Sequence, residues 1–198
     1  MQQIIVIHGG TTFQEYDKYL ESLSSKKLNI DRFVYKPMWK ELLQENLGDG
    51  YQVLTPKMPN STNARYSEWK IWFKHLSSLF AENCILVGHS LGAVFLAKYL
   101  SESNLGVRIK ATILIAAPYE DDEAEDLTDF KITSLSDKLT NQAGKLVFFN
   151  GMDDPVISHH DLKQYQEQLH SAEFIIQPAP DHFMRAKFPE LVNLLKHI

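Results

Sequence analysis

Ser90 lies between two glycines in Gly88-His89-Ser90-Leu91-Gly92. A serine hydroxyl is a weak nucleophile at neutral pH, so it needs a base to take its proton and an acid to orient that base. Both follow in chain order. The segment "FFNGMDDPVI" supplies Asp153 and Asp154, and "PAPDHF" supplies His182. Asp153 competes for the acid role. The spacing from Gly151 and the following Pro155, which restricts Asp154 to an extended backbone, favour Asp154. Upstream, "VIHGG" offers His8 followed by Gly9 and Gly10. A bare backbone there can approach the nucleophile, and the N–H groups of Gly10 and Leu91 would hold the oxyanion of an acyl-transfer intermediate. Such a donor is worth on the order of 3 kcal/mol of barrier.

These residues are useful only if the fold brings them together. Six short apolar segments punctuate the chain: residues 4–7, 51–55, 84–87, 111–116, 145–149 and 173–177. Continuous runs of that length suit strands buried on both faces. Between them lie helical spacings, as in Trp69, Trp72, Phe73, Leu76 and Leu79, or Leu162, Tyr165 and Leu169. Alternating strand and helix predicts a parallel sheet with helices on both faces. Ser90, the acid and His182 then each follow a strand, at the carboxyl edge where such sheets place their sites. A strand ending at Val87 and a helix beginning near Leu91 put Ser90 in a strained turn, with glycines on either side because side chains there would collide. Residues 11–50 carry two helical patterns, "EYDKYLESLSSKK" and "KPMWKELLQENLG", the second with Pro37 near its start and Gly48 where it should stop. Residues 118–144 open on the acidic run from Glu120 to Asp126, read as a solvated loop or the rim of a small cap.

The 198 residues suit one domain with a core that needs no staple. A formal charge of −5 argues against a nucleic-acid or anionic-membrane surface. The single cysteine, Cys84, lies in an apolar run, reads as a buried core residue, and points to a reducing compartment, the cytoplasm. The N-terminal apolar segment is too short, and lacks the cationic lead, for a signal peptide or membrane span. His159, His160 and Asp161 invite a metal reading, but adjacent residues diverge on any regular element and no second ligand group has recognisable spacing. No metal or cofactor is expected. His8 is expected to brace the oxyanion loop, and His89 has no evident proton to move.

On "IHGG", "PKMPN" at 56–60, Trp69, "LVGHSLG", "AAPY" at 116–119, "GMDDPVI" and "DHF", the chain resembles the α/β-hydrolase superfamily over nearly its whole length. Within it, the chain is similar to the small serine hydrolases that include the retinoblastoma-binding protein 9 and bacterial YdeN-like proteins. The resemblance implies a minimal α/β-hydrolase fold, α/β with a six-stranded, mainly parallel sheet in the order 2-1-3-4-5-6 and without the first two strands of larger members. It implies Ser90 as nucleophile, Asp154 as acid, His182 as base, and Gly10 and Leu91 as oxyanion donors. Asp181 stands where a glycine often precedes the histidine, and residues 28–47 exceed the insert of the smallest members.

The expected function is hydrolysis of a small-molecule acyl substrate, an ester, thioester or amide, through a Ser-His-Asp triad and an acyl-enzyme, with no nucleic-acid or membrane partner. Two alternatives stand: a binding protein on the same fold with little or no turnover, and an acyltransferase or lyase on that fold. An aspartate-nucleophile dehalogenase is disfavoured because a serine occupies the elbow. Substrate identity is not legible.

Overall fold

The computed structural model describes residues 1–121, 126–178 and 182–198. Asp122, Glu123, Ala124 and Glu125 of the acidic run, and Asp181, lie outside the described residues. The strands are β1 (Gln2–Ile7), β2 (Tyr51–Leu54), β3 (Cys84–His89), β4 (Ile109–Ile115), β5 (Lys145–Gly151) and β6 (Glu173–Gln177). The helices are α1 (Tyr16–Ser25), α2 (Trp39–Leu47), α3 (Tyr66–Leu76), α4 (Leu91–Glu102), α5 (Asp137–Gln142), α6 (His159–Gln168) and α7 (Pro189–His197). All neighbouring strands pair in parallel, in the order β2-β1-β3-β4-β5-β6. That is the expected order. Among the described residues no helix is long and apolar enough to cross a membrane.

Period-2 alternation divides the strand side chains between two cores. Ile5, Ile7, Leu86, Leu114 and Phe148 face a layer containing Trp69 and Phe73 of α3, most of α4, Leu139 of α5 and Tyr165 of α6. Ile4, Val6, Ile85, Val87, Ile113, Val147 and Phe149 face the other, with Trp39, Leu43 and Leu47 of α2 and Leu191 and Leu195 of α7. Burial on both faces holds for the central strands only. At the sheet's edges β2 and β6 are merely half-buried, because each has a neighbour on one side alone. The helix α4 is apolar almost all round and buried along most of its length, as expected for an element packed centrally on the sheet.

Helical spacing does not by itself determine burial. Trp72 and Leu79 are exposed, at 39% and 69%, while Trp69 and Phe73 are fully buried. The three-residue step from Trp69 carries Trp72 off the buried stripe, and Leu79 falls in a terminal turn beyond α3. The first insert does form a helix, but α1 contributes no buried residue, and Leu20 and Leu23 face solvent. The helix α2 ends at Gly48, whose φ of +84° is a conformation glycine adopts without strain.

Candidate active site

The nucleophile elbow is built by close approach. Ser90 has φ 54° and ψ −124°, outside the regions an L-residue prefers, at a cost of about 1–3 kcal/mol. Its N–H donates to the Ile115 carbonyl at 2.8 Å, which anchors the turn to β4. A Cβ on Gly88 would come within 2.6 Å of both Ala93 Cα and the Gly92 carbonyl oxygen, and one on Gly92 would collide with the backbone carbonyls of Ile7 and His8. Both positions therefore demand glycine, and the helix that begins at Leu91 can pass directly over the end of β1.

Two strands further along the sheet, Asp154 meets His182. Both carboxylate oxygens lie 3.0 Å from His182 Nδ1. Asp154 Oδ1 also accepts the N–H groups of Val156 at 2.8 Å and Ile157 at 3.1 Å, so the turn after β5 fixes the carboxylate in place. Its side chain is 1% exposed and that of His182 13%, whereas Asp153 is exposed. Among the described residues no hydrogen bond joins Ser90 Oγ to His182. The His182 ring lies beside that of His89, the residue before Ser90, with centroids 5.1 Å apart.

Two side chains with no assigned role hold the histidine loop. His89 Nε2 donates to the His182 carbonyl at 2.8 Å, and Trp39 Nε1 donates to the Phe183 carbonyl at 3.0 Å. The Trp39 N–H adds a bond to the Arg185 carbonyl at 2.9 Å. Because a carbonyl only accepts, His89 carries its proton on Nε2, and its buried Nδ1 has no partner among the described residues. Burial, then the nearby Lys40 ammonium, holds the His89 pKa well below the ordinary imidazole value, so it is neutral. Local sequence gives no sign of this clamp, since its acceptors are backbone atoms distant in the chain.

The loop after β1 is braced as its sequence implied. His8 Nδ1 donates to the Gly9 carbonyl at 2.6 Å and Nε2 accepts the Met58 N–H at 2.9 Å. A Cβ on Gly9 would lie 3.1 Å from Ser90 Cβ, and one on Gly10 would lie 3.2 Å from Leu91 Cδ2. Gly10 and Leu91 are thus brought to one place, and among the described residues neither N–H has an acceptor. The remaining candidates take structural parts. Asp161 caps α6 with Ser158 and accepts the N–H groups of Tyr119 at 2.7 Å and Glu120 at 3.2 Å. His160 pairs with Glu120 at 2.8 Å. Cys84 is fully buried, and burial pushes its thiol pKa up to about 11, leaving it unreactive.

A serine on a left-handed turn, at the carboxyl edge of the third strand of a parallel sheet in this order, defines the α/β-hydrolase class. The family model described as serine hydrolase matches residues 36–189, and the chain belongs to that family. No curated protein matches the sequence. Among solved structures, the fold is similar to that of the ydeN gene product from B. subtilis, at 20% identity and TM-score 0.74, covering 100% of this chain and 98% of that one. It is similar to the thioesterase domain from the curacin biosynthetic pathway, at 12% identity and TM-score 0.64, covering 98% and 91%. An esterase from Pyrococcus furiosus aligns at 16% identity and TM-score 0.57, covering 99% and 79%.

Proposed function

We propose that the protein hydrolyses small acyl esters or thioesters through a Ser90-His182-Asp154 triad and an acyl-enzyme. The observation that carries this reading is the Asp154–His182 pair, with both oxygens 3.0 Å from Nδ1 and the carboxylate pinned by two backbone N–H groups. Asp154 holds the proton on Nδ1, which leaves Nε2 as the base. Ser90 Oγ attacks the acyl carbon while its proton passes to His182 Nε2, and the tetrahedral oxyanion takes the N–H groups of Gly10 and Leu91. Collapse breaks the bond to the leaving group, which departs with the proton from His182. Water, deprotonated by the same nitrogen, then releases the acid and restores Ser90. Substrate binding draws the Ser90 and His182 side chains into hydrogen-bond distance, as catalytic contacts often tighten only in the complex. Family membership and the esterase and thioesterase among the structural neighbours support this chemistry.

The rim is formed by residues 11–50 and the described part of 118–144, which meet where Thr12 Oγ1 donates to the Asp126 carbonyl and the Gln14 N–H reaches Asp126 Oδ2 at 3.3 Å. The cytoplasm, a reducing compartment, suits a chain whose one cysteine is buried. The missing Ser90–His182 bond is the observation on which a second, non-catalytic reading rests. A fluorophosphonate probe separates the two. Covalent labelling of the wild type, lost in Ser90→Ala, is the expected result, accompanied by p-nitrophenyl ester hydrolysis lost in His182→Ala. An unlabelled wild-type protein would leave only the binding role.

A further inference from the structure

Lys40 directly follows Trp39 on α2, and its side chain lines a cavity of about 720 Å³ beside the oxyanion loop. His8 and Ser61 line the same cavity. His8 precedes Gly9, which packs on Ser90, and the Ser61 carbonyl oxygen would lie 2.7 Å from a Cβ on Gly10. Cavity and nucleophile therefore share one loop as a common wall. Lys57 adds a second cation to the lining, against the single carboxylate of Glu41. One Glu41 oxygen is engaged already, accepting the Met38 N–H at 2.8 Å in the capping of α2. Lys40 Nζ has neither a hydrogen bond nor an ion pair among the described residues, and lies 5.5 Å from the centroid of the Trp39 ring.

A half-buried ammonium with neither a hydrogen bond nor an ion pair among the described residues is poorly solvated, and the partner that best relieves it is an anion. Burial lowers the Lys40 pKa from 10.5 to about 8, with Glu41 on its own helix opposing the shift. Lys57 and His8 line the same cavity, and the Lys40 charge reaches the buried His89 at the elbow. The chain as a whole carries −5, so this local excess of cations runs against its general charge. We propose that the cavity is the subsite for an anionic group on the acyl substrate, a carboxylate or a phosphate monoester, with Lys40 as its counter-ion. This rests on the acyl-hydrolase reading above and names the substrate class that reading leaves open.

The test compares p-nitrophenyl half-esters of succinic, glutaric and adipic acids with neutral p-nitrophenyl esters of matched length. The wild type should favour at least one half-ester in kcat/KM. Lys40→Met should lower the ratio of half-ester to neutral kcat/KM by about 10- to 100-fold, the usual worth of a charged hydrogen bond. The loss should fall on KM, and Lys40→Arg should retain most of the preference. In the wild type, KM for the half-ester should rise above about pH 8, where Lys40 in the empty site loses its proton, while KM for the neutral ester does not follow. Glutarate and inorganic phosphate, as competitive inhibitors of neutral-ester turnover, distinguish the two anions. A ratio unmoved by Lys40→Met, with turnover intact, overturns the subsite and leaves the hydrolase reading standing. If no ester turns over and Ser90 takes no probe, the hydrolase reading fails on its own. In that event, thermal stabilisation by glutarate or phosphate that vanishes in Lys40→Met upholds the anion site, and its absence overturns it.

Discussion

Replacing Asp154 with asparagine tests the geometry at its most specific point. The amide has one oxygen and one nitrogen where the carboxylate has two acceptors, and the structure decides which way it turns. Oδ1 receives the Val156 and Ile157 N–H groups. Placing the amide nitrogen there would set N–H against N–H and forfeit two hydrogen bonds, at about 1–3 kcal/mol for each group left unsatisfied. The carbonyl therefore stays and the NH₂ faces His182 Nδ1. An imidazole that must present a lone pair at Nδ1 carries its proton on Nε2, and that nitrogen can no longer accept the proton of Ser90. Activity should fall about 10⁴-fold in kcat, equivalent to about 5–6 kcal/mol of barrier, with KM changed little. Because both backbone bonds survive, folding stability should drop by no more than about 1–2 kcal/mol. Steady-state hydrolysis of a p-nitrophenyl ester gives kcat, nitrogen NMR of the His182 ring gives the tautomer, and a urea midpoint gives stability. Asp153→Asn is the control, since that side chain is exposed. A loss under tenfold in Asp154→Asn, or an equal loss in Asp153→Asn, would refute the assignment.

Three further outcomes follow from the same structure. Trp39→Phe and His89→Phe each strip a donor from the histidine loop and should cost about 1–3 kcal/mol in a urea titration; because both donors hold one loop, their effects on kcat in a double-mutant cycle should be non-additive. Gly92→Ala forces a methyl into the carbonyls of Ile7 and His8, and should lower stability by at least the 1–3 kcal/mol typical of overpacking, with kcat reduced by displacement of the elbow. For Lys40 the folded pKa is depressed, from 10.5 to about 8, so between those values the unfolded chain binds more protons and wild-type stability rises with pH. Lys40→Met should be the more stable protein near neutral pH, by about 1–2 kcal/mol once partial solvation trims the upper bound of about 3, and its advantage should shrink by pH 10. Equal gaps at both pH values would show that Lys40 is not desolvated in the native state.

How much of this was legible in the chain depended on how local each cause is. The central strands announced themselves because parallel strands covered on both faces must be apolar at successive residues, as in Ile85-Leu86-Val87. The order serine, acid, histidine followed from placing each after a strand in a sheet whose carboxyl edge is common to all. The flanking glycines, read together with the strand before them and the helix after, foretold the turn at Ser90; the crowding at Gly88 is between residues close in sequence, whereas that of Gly92 against Ile7 and His8 is not. Contacts made across the chain left no such trace. His89 and Trp39 bond to carbonyls 93 and 144 residues away, and a backbone acceptor has no sequence signature. Helical spacing also could not reveal that α1 buries none of its residues, or that Trp72 falls just outside the buried stripe of α3.

What sets the site apart is the clustering of several unfavourable features. Of the non-glycine residues with positive φ, Ser90 follows β3, Ala116 follows β4 and Phe183 follows His182. The same region holds His89 Nδ1, buried without a hydrogen-bond partner among the described residues, and the half-buried Lys40 ammonium, which has no anion among them. An orphaned atom by itself marks nothing, for Ser101 Oγ is also unpaired among the described residues and sits on the far stretch of α4. A strained serine, an imidazole nitrogen buried with no partner among the described residues and an uncompensated cation on an adjoining wall are different kinds of cost, and the hydrophobic packing requires none of them. The two hydrophobic layers would pack as well with a relaxed turn and a methionine at position 40. That all three are tolerated at one end of the sheet is what the proposed acyl-hydrolase site, with its anionic subsite, accounts for.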